Sequence, residues 1–242
     1  MRGASGRIES RLLVNALVDP AEVAPRLPRG LRPHVTAGGG SVVGCCLLGL
    51  SELRLVPMPA GRGQRMWAVA HRVSVEWTLP SGEVMVGVYV PERFTGSRLA
   101  TLLGGRVVPG VHRHARLAVD RSPGRIRWWA GAEGASAGLG MAVDIDTTGI
   151  ATDEQPEVGR VSVGAQVALS PDRRGGIEAV HMQPNRTDAR PVHALSLSST
   201  FLDGFASAVP ASTYLMERVD VTWTPVPSMT PTHVSVVAEP TR

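Results

Sequence analysis

The sequence predicts a mainly β protein, a barrel or sandwich of antiparallel strands. Runs rich in Val, Ile, Leu and Trp recur along the chain, and many alternate with polar residues, the period of a strand with one buried face. Triplets containing Gly or Pro stand between the runs as hairpin-type turns. Helical signals are few. Many strands at short spacing call for a closed or double-layered sheet.

A strand over residues 7–18 leads to Asp19-Pro20-Ala21-Glu22, which reads as an N-cap, a proline at the first helical position and an acid at the third. That short helix stops by Pro28 or Gly30. Strands follow over 41–56, 66–79 and 83–91, the last two joined by Pro80-Ser81-Gly82. A second short helix, Ser97–Leu103, is capped by Ser97 or Thr95 and stopped by Gly104-Gly105. Strands come next over 111–120, 124–131 and 139–147, with Ser122-Pro123-Gly124 as one turn. Strands over 159–170 and 176–183 flank Arg174-Gly175-Gly176. A third helix, Ser198–Val209, ends at Pro210, and strands over 214–224 and 232–239 complete the chain. No repeat or long linker divides it, so residues 1–242 are read as one domain, a length common for all-β domains. Residues 149–159 and 184–191 read as the mobile loops.

All 25 Lys+Arg residues are arginine. A lysine imine with a carbonyl substrate or PLP, and a P-loop lysine, are therefore excluded. The formal net charge is +4, but the arginines are scattered and aromatic residues few. No basic stripe carries stacking aromatics, so nucleic acid is not an expected partner. No apolar run is long enough to span a bilayer, and Met1–Ser10 lacks the apolar core of a signal peptide. The expectation is a cytoplasmic protein with no membrane partner. Cys45 and Cys46 are adjacent in an apolar run, point to opposite faces of a strand, and read as buried free thiols.

Strand parity singles out polar residues on apolar faces. Trp67, Val69, His71, Val73, Val75 and Trp77 share one face, on which His71 is the polar member. Val111, Arg113, Ala115, Leu117 and Val119 share another, on which Arg113 is the charge. Leu215, Glu217, Val219, Val221 and Trp223 share a third, on which Glu217 stands out. An unpaired buried charge is expensive, so Arg113, His71 and Glu217 could supply one another across a barrel interior. Two readings stay open, a polar cluster in an apolar pocket and a structural ion pair plugging one end of a barrel. His112 and His114 project to the same side of a strand, as a chelating pair would, but no third ligand stands at a recognisable spacing. The plainer reading is a solvated or hydrogen-bonded pair on the outer face, with no metal. There is no Gly-x-Ser-x-Gly elbow, dinucleotide fingerprint or His-Glu-x-x-His motif. No cofactor is implied.

Gly87-Val-Tyr-Val-Pro-Glu-Arg-Phe and Gly104-Gly-Arg-Val-Val-Pro-Gly-Val-His-Arg-His-Ala-Arg resemble the acetoacetate decarboxylase-like superfamily. Val18-Asp-Pro-Ala-Glu-Val-Ala-Pro-Arg-Leu-Pro-Arg-Gly-Leu resembles the start of its DUF2071-type bacterial branch. The resemblance covers residues 7–120 well and the remainder vaguely. It implies a closed antiparallel β-barrel or cone with a few short peripheral helices. In the decarboxylases two adjacent lysines follow the Gly-Arg stretch, one forming the imine and the other depressing its pKa. Here Arg106 keeps the Gly-Arg position, Gly110 keeps the glycine, and the lysine positions fall on Arg113 and His114. Arginine cannot form that imine at useful pH. The upstream glutamate of the decarboxylases would fall near Ala68, and Trp67–His71 holds none. Decarboxylase activity is not carried over.

The expected function is non-covalent acid–base chemistry on a hydrophobic small molecule bearing a carbonyl or carboxylate. A cyclase, such as one forming a spiroketal or ring, or a dehydratase in polyketide or other secondary metabolism would fit. Arg113 would polarise a carbonyl or hold a carboxylate, with His71 and Glu217 moving protons. Arg106, Tyr89, Trp67 and His114 are candidates to contact substrate. The alternatives are a non-catalytic small-molecule-binding barrel and, third, a metal enzyme using His112 and His114. A homo-oligomer is compatible with such a barrel, although the sequence names no interface.

Overall fold

The computed structural model describes residues 2–107, 109–132, 139–149, 151, 152 and 155–231. The chain opens with β1 (Ala4–Val18) and the single-turn α1 (Pro20–Val23), whose N-cap Asp19 accepts from the Ala21 amide at 2.8 Å. Then come β2 (Leu31–Pro33), β3 (Ser41–Leu55), β4 (Gln64–Thr78), β5 (Val84–Tyr89) and β6 (Arg93–Thr95). Next is α2 (Arg98–Leu103), whose cap Ser97 accepts from the Ala100 amide at 3.2 Å. Strands β7 (His112–Ser122), β8 (Arg125–Ala132) and β9 (Gly140–Asp146) precede α3 (Pro156–Gly164). The remainder is β10 (Val167–Pro171), β11 (Ile177–Pro184), β12 (Arg190–Pro191), β13 (His193–Ser199), α4 (Thr200–Asp203) and β14 (Val209–Pro225).

Two expectations are corrected. Residues 159–170 are not one strand: α3 occupies 156–164 and only Val167–Pro171 is extended. Pro156 at the helix start and Glu157 in its first turn are N-terminal signals. The buried residues Val158, Gly159 and Ser162 fall at helical spacing, which overrides the β propensity of Val161 and Val163. The helix expected over 198–209 lasts one turn. Ser199 caps it and Gly204 closes it, while β14 already begins at Val209. The strand expected over 232–239 lies outside the described residues.

β4, β3, β1, β14, β11, β10 and β5 pair in that order, and β5 returns to β4, closing a seven-strand ring. All its pairings are antiparallel except β10 with β5. The fold is thus the expected mainly β barrel with few short helices. At Pro91-Glu92 the chain leaves the ring edge. Its continuation β6 still pairs with β4, through Ala68–Ala70, but runs parallel to β7 and starts a second sheet, β6-β7-β8-β9-β13. Proline has no ladder N–H and suits such a break.

The second sheet folds back over one face of the ring. Leu12, Val14, Cys45, Leu47 and Val69 from ring strands pack there with Ala115, Trp128, Ala130, Met141 and Ile145. Since β7, β8 and β9 are not ring members, this is the ring's outer face. It continues along β4 through Val73, Val75 and Trp77, beneath Leu202 and Phe205. The opposite, inner face carries Leu13, Cys46, Ile8, Leu50 and Met216, with Val163 of α3 against them. Each large aliphatic side chain withdrawn from water in this way contributes about 1.5–3 kcal/mol. Cys45 and Cys46 are both free and buried, one on each face.

Candidate functional site

The inner face encloses a cavity of about 210 Å³. β4 contributes Met66, Ala68 and Ala70, β3 contributes Leu48, Leu50 and Leu53, and Val180 and Trp223 come from β11 and β14. β4 and β11 are not neighbours in the ring, so a cavity lined by both lies inside it. Leu99, Ala100 and Leu103 of α2 also line it. The walls are overwhelmingly apolar. Arg93 and His112 also line it, at the point where the sheet splits. An apolar cavity with a few convergent polar groups is the form of a small-molecule site.

Arg93 and His112 are register partners across the parallel β6–β7 pair, so both side chains project to the same face as Ala70. Arg93 Nη1 is shut from solvent and has no hydrogen-bond partner among the described residues. Burial pushes its pKa down to about 10, and Glu178 works in the opposite direction. Glu178 Oε1 accepts a short hydrogen bond from the Gly110 amide, and its Oε2 is buried without a partner. Burial holds the Glu178 carboxyl above its usual pKa. His112 Nδ1 lies 2.9 Å from the Gly110 carbonyl. A carbonyl only accepts, so Nδ1 carries the proton and Nε2 keeps a lone pair. Burial first, and the charge of Arg93 second, push the His112 pKa down to about 4. Gly110 therefore touches all three polar groups. Its φ is +90°, and a Cβ there would stand 1.9 Å from Arg93 Nη1.

The His112 shift has a measurable consequence. Its folded pKa of about 4 lies below the ordinary 6.5, so as pH falls through 6.5 the unfolded chain takes up a proton that the folded chain refuses. Stability from this group is complete above 6.5 and is lost progressively down to about 4, by on the order of 3 kcal/mol. Urea denaturation across that window should show the loss in the parent, and His112→Gln should lack this part of the slope.

The residues singled out from the sequence lie elsewhere. His71 is 2% exposed, on the outer face, stacked on Phe201 with centroids 4.3 Å apart. Its Nδ1 is 3.4 Å from Glu92 Oε2, and Glu92 Oε1 is 2.8 Å from Arg113 Nη1. The structure thus joins His71 and Arg113 through Glu92, on the outer face and not in a barrel interior. The Arg113 side chain is half-exposed. The His71 and Arg113 contacts hold Glu92 ionised at lower pH than usual. Glu217 does not join them; it faces Arg121 at 3.5 Å. Trp67 packs edge-on against Trp128 at 4.9 Å, and Tyr89 is buried in the outer core. Burial and the charge of Glu92 raise the Tyr89 pKa to about 12. Arg106 is exposed and donates to the Leu102 carbonyl at 2.7 Å. His114 lies opposite Thr95 on the inner-face parity, outside the cavity lining. No three His, Cys, Asp or Glu side chains converge to hold a metal among the described residues.

Sequence reasoning missed Arg93, Glu178 and Glu92. The Gly87–Phe94 stretch quoted for its resemblance contains Glu92 and Arg93, but Pro91 hides the strand that follows it. β6 has only three residues, too few for parity to speak. The sequence places His112 on the outer face, as half of a chelating, solvated or hydrogen-bonded pair; the structure turns it to the cavity instead, in register with Arg93 across the β6–β7 pair.

No protein-family model matches the chain, and no curated protein matches it. Solved structures do. An acetoacetate decarboxylase from Legionella pneumophila superposes with a TM-score of 0.62 at 13% identity, covering 97% of this chain and 87% of that one. An acetoacetate decarboxylase-like enzyme from Sphingomonas wittichii RW1 gives 0.61 at 11% identity, covering 94% and 93%. The enduracididine biosynthesis enzyme MppR, complexed with the condensation product of pyruvate and imidazole 4-carboxaldehyde, gives 0.57 at 13% identity, covering 94% and 90%. The chain has the acetoacetate decarboxylase-like fold.

Proposed function

We propose that the protein is an enzyme that takes a hydrophobic, carbonyl-bearing small molecule into the ring cavity and works on it by non-covalent acid–base chemistry. The observation that carries this reading is the apolar cavity with a partnerless Arg93 Nη1 beside a neutral His112. Arg93 would hold the carbonyl oxygen and the negative charge that grows on it. His112 Nε2 would take the proton of an attacking hydroxyl and return it to the new alkoxide. One proton moves, one C–O bond forms, and no imine is required, as the absence of lysine demands. If a second hydroxyl of the substrate attacks as this hemiketal loses water, a ketal results. In the dehydratase alternative His112 takes the α-proton of a β-hydroxyketone, Arg93 holds the enolate oxygen, and the proton leaves with the β-hydroxyl as water, so the cyclase or dehydratase reading in polyketide or related secondary metabolism is retained. Glu178 would set the charge and position of Arg93. His71, Glu92 and Arg113 would brace β6 and β7 from the other face. Within the fold, placement in the DUF2071-type branch rests on the Val18–Leu31 stretch. Among the described residues no helix is long and apolar enough to cross a membrane.

The test is incubation with a panel of apolar dihydroxyketones and β-hydroxyketones, with products resolved by mass spectrometry. Loss of one water in the parent, abolished in His112→Gln with ligand still bound, supports the reading. Tight binding with unchanged ligand recovered throughout favours the second reading, a non-catalytic binding barrel. The low basicity of His112 favours that alternative, because a pKa of about 4 makes a weak proton acceptor at neutral pH.

A further inference from the structure

Three arginines project onto the inner face of the ring: Arg11 from β1, Arg72 from β4 and Arg93 from β6. Arg11 and Arg72 are 3% and 6% exposed. None of the three forms an ion pair with a carboxylate of the described residues. Arg72 is well provided with neutral partners, donating to the Ser162 carbonyl at 2.8 Å and to its hydroxyl at 3.4 Å. Arg11 is not: its Nε and Nη1 are both buried without a partner among the described residues. In register, Arg11 stands opposite Leu48 and Arg72 opposite Gly44, so Cys46 lies between them on the middle strand. The two charges feel each other. Burial pushes Arg72 down to about 10, and the next cause is Arg11.

A guanidinium cannot discharge to relieve burial. Water could satisfy the N–H groups of Arg11 but would leave the charges of Arg11 and Arg72 uncompensated in a low-dielectric interior, where an unpaired charge is strongly destabilising. Glu178 is engaged with Gly110 beside Arg93. We propose that the ring interior binds a small anion at Arg11, distinct from the ligand cavity headed by Arg93. The anion neutralises the Arg11–Arg72 pair under α3, whose Ser162 ties Arg72 to Asn15 through a 2.6 Å hydrogen bond. Anion binding is therefore coupled to the docking of α3.

The experiment is a thermal melt of the full chain in gluconate buffer, titrated separately with phosphate and with chloride. The parent Tm should rise saturably by several degrees with at least one of them. Arg11→Met, of similar volume and no charge, should lose the saturable rise and melt no lower than the parent in gluconate alone. Arg93→Gln should keep the rise, which separates this site from the cavity and its proposed function. No saturable rise in the parent, or an equal rise in Arg11→Met, overturns the proposal. So does a rise lost in Arg93→Gln but kept in Arg11→Met. If Arg11→Met does not fold, the chloride NMR linewidth decides: broadening by the parent that phosphate displaces supports the site, and none overturns it.

Discussion

Arg93→Gln should weaken ligand capture roughly 100-fold while leaving the fold intact. Octanoate is a suitable probe, since it pairs an oxygen head for Arg93 with an apolar tail for the wall formed by Met66, Leu50 and Trp223. A charge-assisted hydrogen bond in a water-poor cavity is worth about 1.5–3 kcal/mol, and more when the partner charge is left buried and unpaired. The expected fall in affinity is roughly 100-fold by calorimetry. Stability should move the other way or not at all. The variant removes a buried cation whose Nη1 lacks a partner, so its Tm should equal or exceed the parent's in the absence of ligand. Lost affinity with an unchanged or raised Tm assigns Arg93 to binding. Loss of both, with the far-ultraviolet spectrum altered, would make it structural and sink the cavity reading.

Gly110→Ala should be the most damaging small substitution near the site. The +90° φ of Gly110 is a conformation that side chains rarely adopt, costing about 1–2 kcal/mol for any other residue. The new Cβ would also meet Arg93 Nη1 at 1.9 Å. That atom ends a flexible side chain, so the clash is relieved by moving the guanidinium, which makes the functional cost larger than the structural one. Folding stability should fall by about 1–2 kcal/mol, while octanoate affinity falls as far as in Arg93→Gln. The double variant Gly110→Ala/Arg93→Gln should bind no worse than either single one. Additive losses in that cycle would show that Gly110 acts on the ligand by another route.

The framework of the fold was legible because it rests on local signals. Alternation along β4, the Asp19 cap and the Ser97 cap each declare themselves within a few residues. What failed was local in another sense. α3 contains Val161 and Val163 at strand spacing, and its Pro156 and Glu157 start signals together with its burial against Arg72 and Tyr214 make it a helix. The site was less legible than the fold. Parity puts His71 and Arg113 each on the apolar face of its own strand, and the structure joins them, through Glu92. Parity cannot say which face of a strand looks into the ring. That is decided by the second sheet, which covers the His71 side and leaves the Arg93 side to the cavity. Glu217 stands out on its strand, but Arg218 at a φ of 55° breaks the pleat next to it, and its carboxylate turns to Arg121.

Cys45 and Cys46 face opposite sides of a single wall, one beneath the second sheet and the other inside the ring. Cys45 lies 3.5 Å from the Ser199 hydroxyl, with burial raising its thiol pKa to about 12. A modifying reagent reaches Cys45 when the second sheet lifts away and Cys46 when the inner side opens, at α3 or at the ring itself. The two thiols, adjacent in the chain, are thus independent clocks for two different breathing motions of the molecule, each timed by its own rate of alkylation.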